Sequence, residues 1–275
     1  VRPHRASSPS HRPSGSALPS RPVGRDVRRF GTDASLVMAG GCAILLQIAD
    51  PVVGAGVARH SDFVHRPQQR LVHTLAYVYA VVFGTPTDAA VASAFVERAH
   101  RPVEGADDPG RQLWVAATLY DSAIRMHELL RGPIDPALAL GVLRAYEPLG
   151  TALRVPDGVW PTTVTAFEEY WGRTLQGLLV TEDARAVVRD LLHPRFAPAW
   201  IRIAMPLARI VTVGMLPTSV RQAYGFAWGP REERRFARTI SVLRVVVRAV
   251  PGPIRRLPHR VLIRGMRQAA VRHEH

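Results

Sequence analysis

The chain has 275 residues and 47% hydrophobic content, enough apolar material for one large core or two small ones. Its formal charge of +14 comes from 36 arginines with no lysine among them, which excludes Schiff-base chemistry, a lysine-anchored pyridoxal phosphate and a phosphate-loop lysine. A single cysteine, Cys42, excludes an internal disulfide and any multi-cysteine metal site. Asparagine is absent as well, so part of the arginine load reflects GC-rich coding.

Residues 1–30 hold seven arginines and one aspartate, a net +6, among serine, proline and glycine. Such a segment cannot bury enough apolar surface to offset chain entropy, and it reads as a disordered basic tail rather than an organellar leader. Residues 31–230 carry a net −1 and residues 231–275 a net +9. The charge therefore sits at the two ends, which argues against a general nucleic-acid-binding surface. No nucleic-acid partner is expected, because neither a helix-turn-helix nor an aromatic platform accompanies the arginines.

From Ala34 to Ala58 the chain is strongly apolar. The Asp50-Pro51 break and the glycines at 40, 41, 54 and 56 favour a buried helix-turn-helix over a membrane span. Apolar residues at three- and four-residue steps predict helices over Arg70–Phe83, Thr87–Arg101, Arg111–Arg131, Pro136–Tyr146, Thr162–Leu179, Glu182–Leu192 and Arg231–Val250. Proline and glycine separate them, and Thr85, Asp135 and Thr181 are the expected N-caps. Trp200–Thr218, apolar but interrupted by Arg202, Pro206 and Arg209, reads as a further core helix. Alternating strand patterns are scarce. The expected fold is all-α, a single helical domain over residues 31–275 behind the tail.

One predicted helix carries chemistry. Arg70, His73 and Thr74 stand at i, i+3 and i+4, so a fixed cation, an imidazole and a hydroxyl share one face. The plain alternative is a surface–core boundary with an arginine–carboxylate pair. His100 ends the next helix and precedes Arg101-Pro102-Val103-Glu104-Gly105; there a histidine also serves simply to cap carbonyls. The final segment, with Phe236, Ile240, Leu243, Val246 and Val247 among arginines, suits either a membrane surface or a core-packing helix with a solvated arginine face.

Taken together, several pieces resemble the MpaB-type oxygenase and latex-clearing (rubber oxygenase) family. They are Gly40-Gly41 through Leu45-Leu46-Gln47-Ile48-Ala49-Asp50-Pro51, Arg70-Leu71-Val72-His73-Thr74, His100 to Gly105, Trp114 to Ser122, and Arg221-Gln222-Ala223-Tyr224-Gly225. The resemblance covers about residues 31–265. It implies a globin-like helical core that binds haem b and uses dioxygen on an apolar small molecule, isoprenoid chains among them. It assigns His100 as the proximal iron ligand and places Arg70 and Thr74 at the oxygen side of the haem pocket. Those types suit the task, since a neutral imidazole holds iron axially and a cation or hydroxyl can stabilise negative charge developing on dioxygen. His73 falls where relatives carry a residue able to close the sixth coordination position; it serves equally well as a structural hydrogen-bonder.

Three departures stand out. Asp50 and Ala116 replace histidines usual in the family, and no glutamate occurs between residues 31 and 96 to act as the usual base, leaving Asp33, Asp50, Asp62 and Asp88. A different substrate, a shifted redox potential or a member without activity would each account for them. Trp114, Trp171 and Trp200 are candidates for lining a long apolar cavity. The competing reading is a non-catalytic helical protein docked on a membrane surface through residues 231–275. The expected location is cytoplasmic, at the membrane periphery.

Overall fold

The computed structural model describes residues 23–60, 67–100, 105, 107–151, 155–156, 158–194, 198–257, 261 and 264, and every element among them is helical. In chain order these are α1 (Arg25–Gly31), a 3₁₀ turn (Ala34–Ala39), α2 (Gly40–Ile48), α3 (Pro51–His60), α4 (Pro67–Phe83), α5 (Pro86–His100), α6 (Pro109–Arg131), α7 (Pro136–Thr151), α8 (Val164–Gln176), α9 (Glu182–Leu192), α10 (Ala199–Met215), α11 (Thr218–Ala223), α12 (Pro230–Ala249) and α13 (Gly252–Arg255). The all-α expectation holds. So do the three N-caps: Thr181 Oγ1 accepts from the Ala184 amide at 3.2 Å, Asp135 from Ala137 and Leu138, and Thr85 exchanges bonds with Asp88.

The stretch read as a buried helix-turn-helix is α2 and α3, broken at Asp50. No single helix among the described residues is long and apolar enough to cross a membrane, although the bent pair formed by Arg25–Gly31 and Ala34–Ile48 passes by length and composition. Cys42, Leu45, Leu46 and Ile48 of that pair are fully buried in the core.

Two expectations need correction. The last residues of the segment read as tail form α1, because Phe30 buries in the core and Val27 packs on it. Two apolar anchors three positions apart, Val27 and Phe30, were too few to register as a periodic pattern. The stretch 200–218 is a core helix only in its second half: Val211, Thr212, Val213 and Met215 are buried, whereas Trp200, Ile203 and Leu207 are exposed. Pro206 lies between the halves and removes one backbone donor.

The core is organised around α6, the longest helix. Gln47 bonds to Thr118 in the first half of α6, and Arg131 at its end pairs with Asp33 just ahead of the 3₁₀ turn, so α6 runs antiparallel to α2. A Cβ at Gly41 would overlap Thr212, and one at Gly214 would overlap the Phe236 ring. Glycine thus lets α10 approach both α2 and α12 closely. Arg244 of α12 donates to the Leu129 carbonyl near the end of α6. The C-terminal part of α12 and the N-terminal half of α10 therefore extend toward one end of the bundle, the end where α6 finishes.

Candidate active site

α4 and α5 are separated by the two-residue break Gly84–Thr85 and pack against each other as a helical hairpin. Its turn is held at the α1 end, where an Arg28 guanidinium N–H donates to the Phe83 carbonyl at 3.2 Å and Gly31 lies against the Phe83 ring. At 1.5 Å per residue, Arg70 stands about 20 Å along α4 from this turn and His100 about 21 Å along α5. Arg70, His73, Thr74 and His100 are thereby brought to the same far end of the hairpin. Thr74 is half-buried, at the point where α4 leaves the all-round burial of Tyr77 to Phe83. The side chains of Arg70, His73 and His100 lie outside the described residues.

The other motif pieces converge on the C-terminus of α2, whose last carbonyls take the Ala49 and Asp50 amides and have a lone pair left for side-chain donors. Tyr224 donates to the Leu45 carbonyl at 2.7 Å and the Trp114 indole to the Leu46 carbonyl at 3.2 Å. The Gln47 amide donates to Thr118 Oγ1 at 3.0 Å, and that hydroxyl donates to the Val115 carbonyl at 2.7 Å. The pieces of α2, α6 and the α11 end that signalled the family in sequence are joined here by side-chain bonds.

Just beyond, Asp50 has a structural use that its neighbours define. Its carboxylate accepts from the Val52 and Val53 amides at 3.0 and 2.9 Å, capping α3, and lies 3.8 Å from Arg111 Nε. Arg111 also reaches the Gly105 carbonyl at 3.5 Å and the Asp108 carboxylate at 3.7 Å. Gly105 closes the motif that begins with His100. It adopts φ +72°, and a Cβ there would meet Arg111 at 3.0 Å and Val52 at 3.1 Å, which is why the position requires glycine. The backbone shortly after His100 is thus tied to the starts of α3 and α6. Arg111 is the residue that sequence reasoning missed; Asp108, three positions before it, was its only local signal. Ala116, the second departure, is buried at 2% exposure between Trp114 and Thr118, so both replaced positions sit at the junction of α2 and α6.

None of the described aspartates offered as a base is uncommitted. Asp33 accepts from the Ser35 amide and hydroxyl and pairs with Arg131 and Arg255; burial alone would push its carboxyl up, but these partners hold it below the ordinary range. Asp88 accepts from Thr85 at the hairpin turn, and Asp50 caps α3. Asp62 lies outside the described residues.

The Tyr120-Asp121-Ser122 stretch faces the core. Burial pushes the Cys42 thiol up to about 12, with Asp121 raising it further and Ser122 opposing. Burial also raises the Asp121 carboxyl, against the pull of Arg125 at 2.7 Å. The thiol is therefore protonated and inert at neutral pH. His127 packs on Phe30, ring centroids 5.1 Å apart, and His193 bonds back to the Arg189 carbonyl at the end of α9; both are structural.

The three tryptophans do not share a cavity. Trp114 and Trp171 stack in the core at 5.0 Å with Phe167 beside them, whereas Trp200 is 67% exposed near the opposite end of the bundle. The sequence grouped them by type alone.

An all-helical bundle whose α2 terminus gathers these motif pieces, beside a hairpin bearing histidines and an arginine at the same end, defines the class to which the protein falls. The chain belongs to the family described as ER-bound oxygenase mpaB/B'/Rubber oxygenase, catalytic domain, which matches residues 27–249. It is 35% identical over 222 residues to an uncharacterized protein of Mycobacterium bovis, covering 76% of this chain and 87% of that relative. The same identity and coverage hold for an uncharacterized protein of Mycobacterium tuberculosis. No solved structure matches.

Proposed function

We propose that the chain is a haem b-dependent oxygenase that acts with dioxygen on an apolar small molecule, with isoprenoid chains as the substrate class. The observation that carries this reading is the placement of His100 and of the Arg70–Thr74 turn at one end of the α4–α5 hairpin, with Gly105, five positions after His100, bonded to Arg111. The residue types suit the cofactor: a haem iron takes one neutral imidazole, which His100, the final residue of α5, would supply. Bound haem would supply the activation of dioxygen, which no side chain of this protein can perform.

The chain's own residues would do the rest. Arg70 brings a positive charge that persists at any neutral pH, and Thr74 a hydroxyl at the margin of the core; both favour negative charge developing beside them. His73, between them on α4, would either help to hold the iron in a resting state or serve as a structural hydrogen-bonder. The Asp50 and Arg111 bridge would set the position of Gly105 after His100, where the histidines usual in the resembled motifs at 50 and 116 are absent.

The reading is tested by quantifying haem as its pyridine haemochrome, together with iron, in the full-length protein after expression with haem supply. One haem and one iron per chain is expected. Purified folded protein with no haem, and none taken up from haemin, would leave only a non-catalytic helical protein of this family.

A further inference from the structure

The end of the bundle away from the motif cluster carries two apolar stripes that no core residue covers. On α10, Trp200, Ile203, Ala204 and Leu207 follow i, i+3, i+4, i+7 spacing and all face solvent, with Ile203 at 80% exposure. On α12, Val242, Val245, Val246 and Ala249 repeat that spacing and are exposed as well, Val245 at 67%. The face of α12 that sequence reasoning offered to a membrane is largely a different one: Phe236, Ile240, Leu243 and Val247 pack in the core, and of that set only Val246 is exposed. α12 is therefore apolar on two opposite sides, and the core uses one.

The two outward stripes lie at the same end. Thr212 meets Gly41 and Gly214 meets Phe236, while Arg244 reaches Leu129 near the end of α6. Continuing each helix at 1.5 Å per residue carries Trp200 roughly 18 Å beyond Thr212, and Ala249 roughly 8 Å beyond Arg244, in the same direction. α13 adds exposed Ile254 there, anchored by Arg255 to the Val247 carbonyl and to Asp33.

Along the chain that carries these stripes the charge has one sign, and Asp33 at this end is paired with Arg131 and Arg255. No acidic residue occurs between Asp190 and Glu232, nor between Glu233 and Glu274, while arginines recur throughout both stretches. Exposed Arg202 neighbours the α10 stripe, and exposed Arg238 and Arg248 flank that of α12. An apolar stripe rimmed by arginine, with a tryptophan at the helix start, matches the composition of helices that lie in a bilayer interface. A second copy of the chain would bring like charges together, whereas anionic headgroups complement them.

We propose that this end of the bundle is a docking surface for an anionic bilayer, with Trp200, Ile203 and Leu207 of α10 and Val242, Val245 and Val246 of α12 entering the headgroup–acyl boundary. The proposal stands apart from the haem reading, because the α4–α5 site lies at the other end of the molecule.

The test mixes full-length protein with vesicles of phosphatidylcholine alone, or with about 30% phosphatidylglycerol, and measures the fraction that sediments. The protein should sediment with the anionic vesicles and not with phosphatidylcholine. Trp200→Ser with Ile203→Ser, and separately Val242→Ser with Val245→Ser, should lower the bound fraction roughly five- to tenfold, with helicity, melting midpoint and haem content unchanged. Brominated lipid should quench the fluorescence of the wild type more than that of Trp200→Phe. Variants that sediment like the wild type, indifference to phosphatidylglycerol, or a dimer that the same substitutions dissolve in the absence of vesicle binding would each overturn the proposal.

Discussion

Tyr224 donates its hydroxyl to the Leu45 carbonyl at 2.7 Å, joining the end of α11 to the C-terminus of α2 across 179 positions of sequence, with both groups buried. The Leu45 carbonyl also receives the Ala49 amide at 3.1 Å, so removal of the phenol leaves it with a partner. Tyr224→Phe should therefore cost only about 1–2 kcal/mol. Thermal unfolding should show a fall of roughly 2–4 °C per kcal/mol lost.

Alkaline behaviour follows from the same burial. All six tyrosines, Tyr77, Tyr79, Tyr120, Tyr146, Tyr170 and Tyr224, have phenols raised above their ordinary value, with burial as the leading cause for each. A folded-state value raised above the unfolded one contributes stability that is complete below pH 10 and lost as pH rises through the folded values. Absorbance at 295 nm should thus show little tyrosinate near pH 10 in the native protein. A steep rise should coincide with loss of helicity at higher pH.

On the acid side the signs reverse. The Asp33 carboxyl is held below its ordinary range, and the His127 imidazole is lowered by burial first and Arg131 second. Each contributes stability present above its unfolded value and lost as pH falls through its folded one. Denaturant midpoints should decline first below the ordinary imidazole range and again below the ordinary carboxylate range. His127→Phe should remove the first decline, and Asp33→Asn should remove the second at a cost of about 1–3 kcal/mol at neutral pH.

The sequence shows helix positions well wherever a breaker and a cap coincide, as at Gly84-Thr85 and at Thr181. It could not assign sides. The Trp200–Leu207 stripe and the Val211–Met215 turns of α10 are both apolar, and the packing of Thr212 on Gly41 and of Gly214 on Phe236 decides which half is core. In the candidate site, the hairpin residues and the Gly105 motif stood out in the sequence because their types and spacing are unusual. The Asp50–Arg111–Gly105 bridge was not, because its members are 61 positions apart at the widest and meet only once α3 and α6 are in place.

That bridge makes a prediction of its own. Arg111→Ala removes the contacts to Asp50, Asp108 and Gly105, and Gly105→Ala places a Cβ against Val52 in a left-handed backbone conformation. Each should cost about 1–2 kcal/mol of stability. Both should also speed transfer of haem to apomyoglobin well beyond what Tyr224→Phe does, because they loosen the segment that follows His100.

The central claim is that His100 holds a haem iron. The most direct measurement is the absorbance spectrum of the purified protein and of His100→Ala, each also after haemin reconstitution. The wild type should show a Soret band that His100→Ala abolishes or strongly weakens, and that His73→Ala shifts without abolishing. A Soret band of undiminished intensity and position in a folded His100→Ala protein would contradict it.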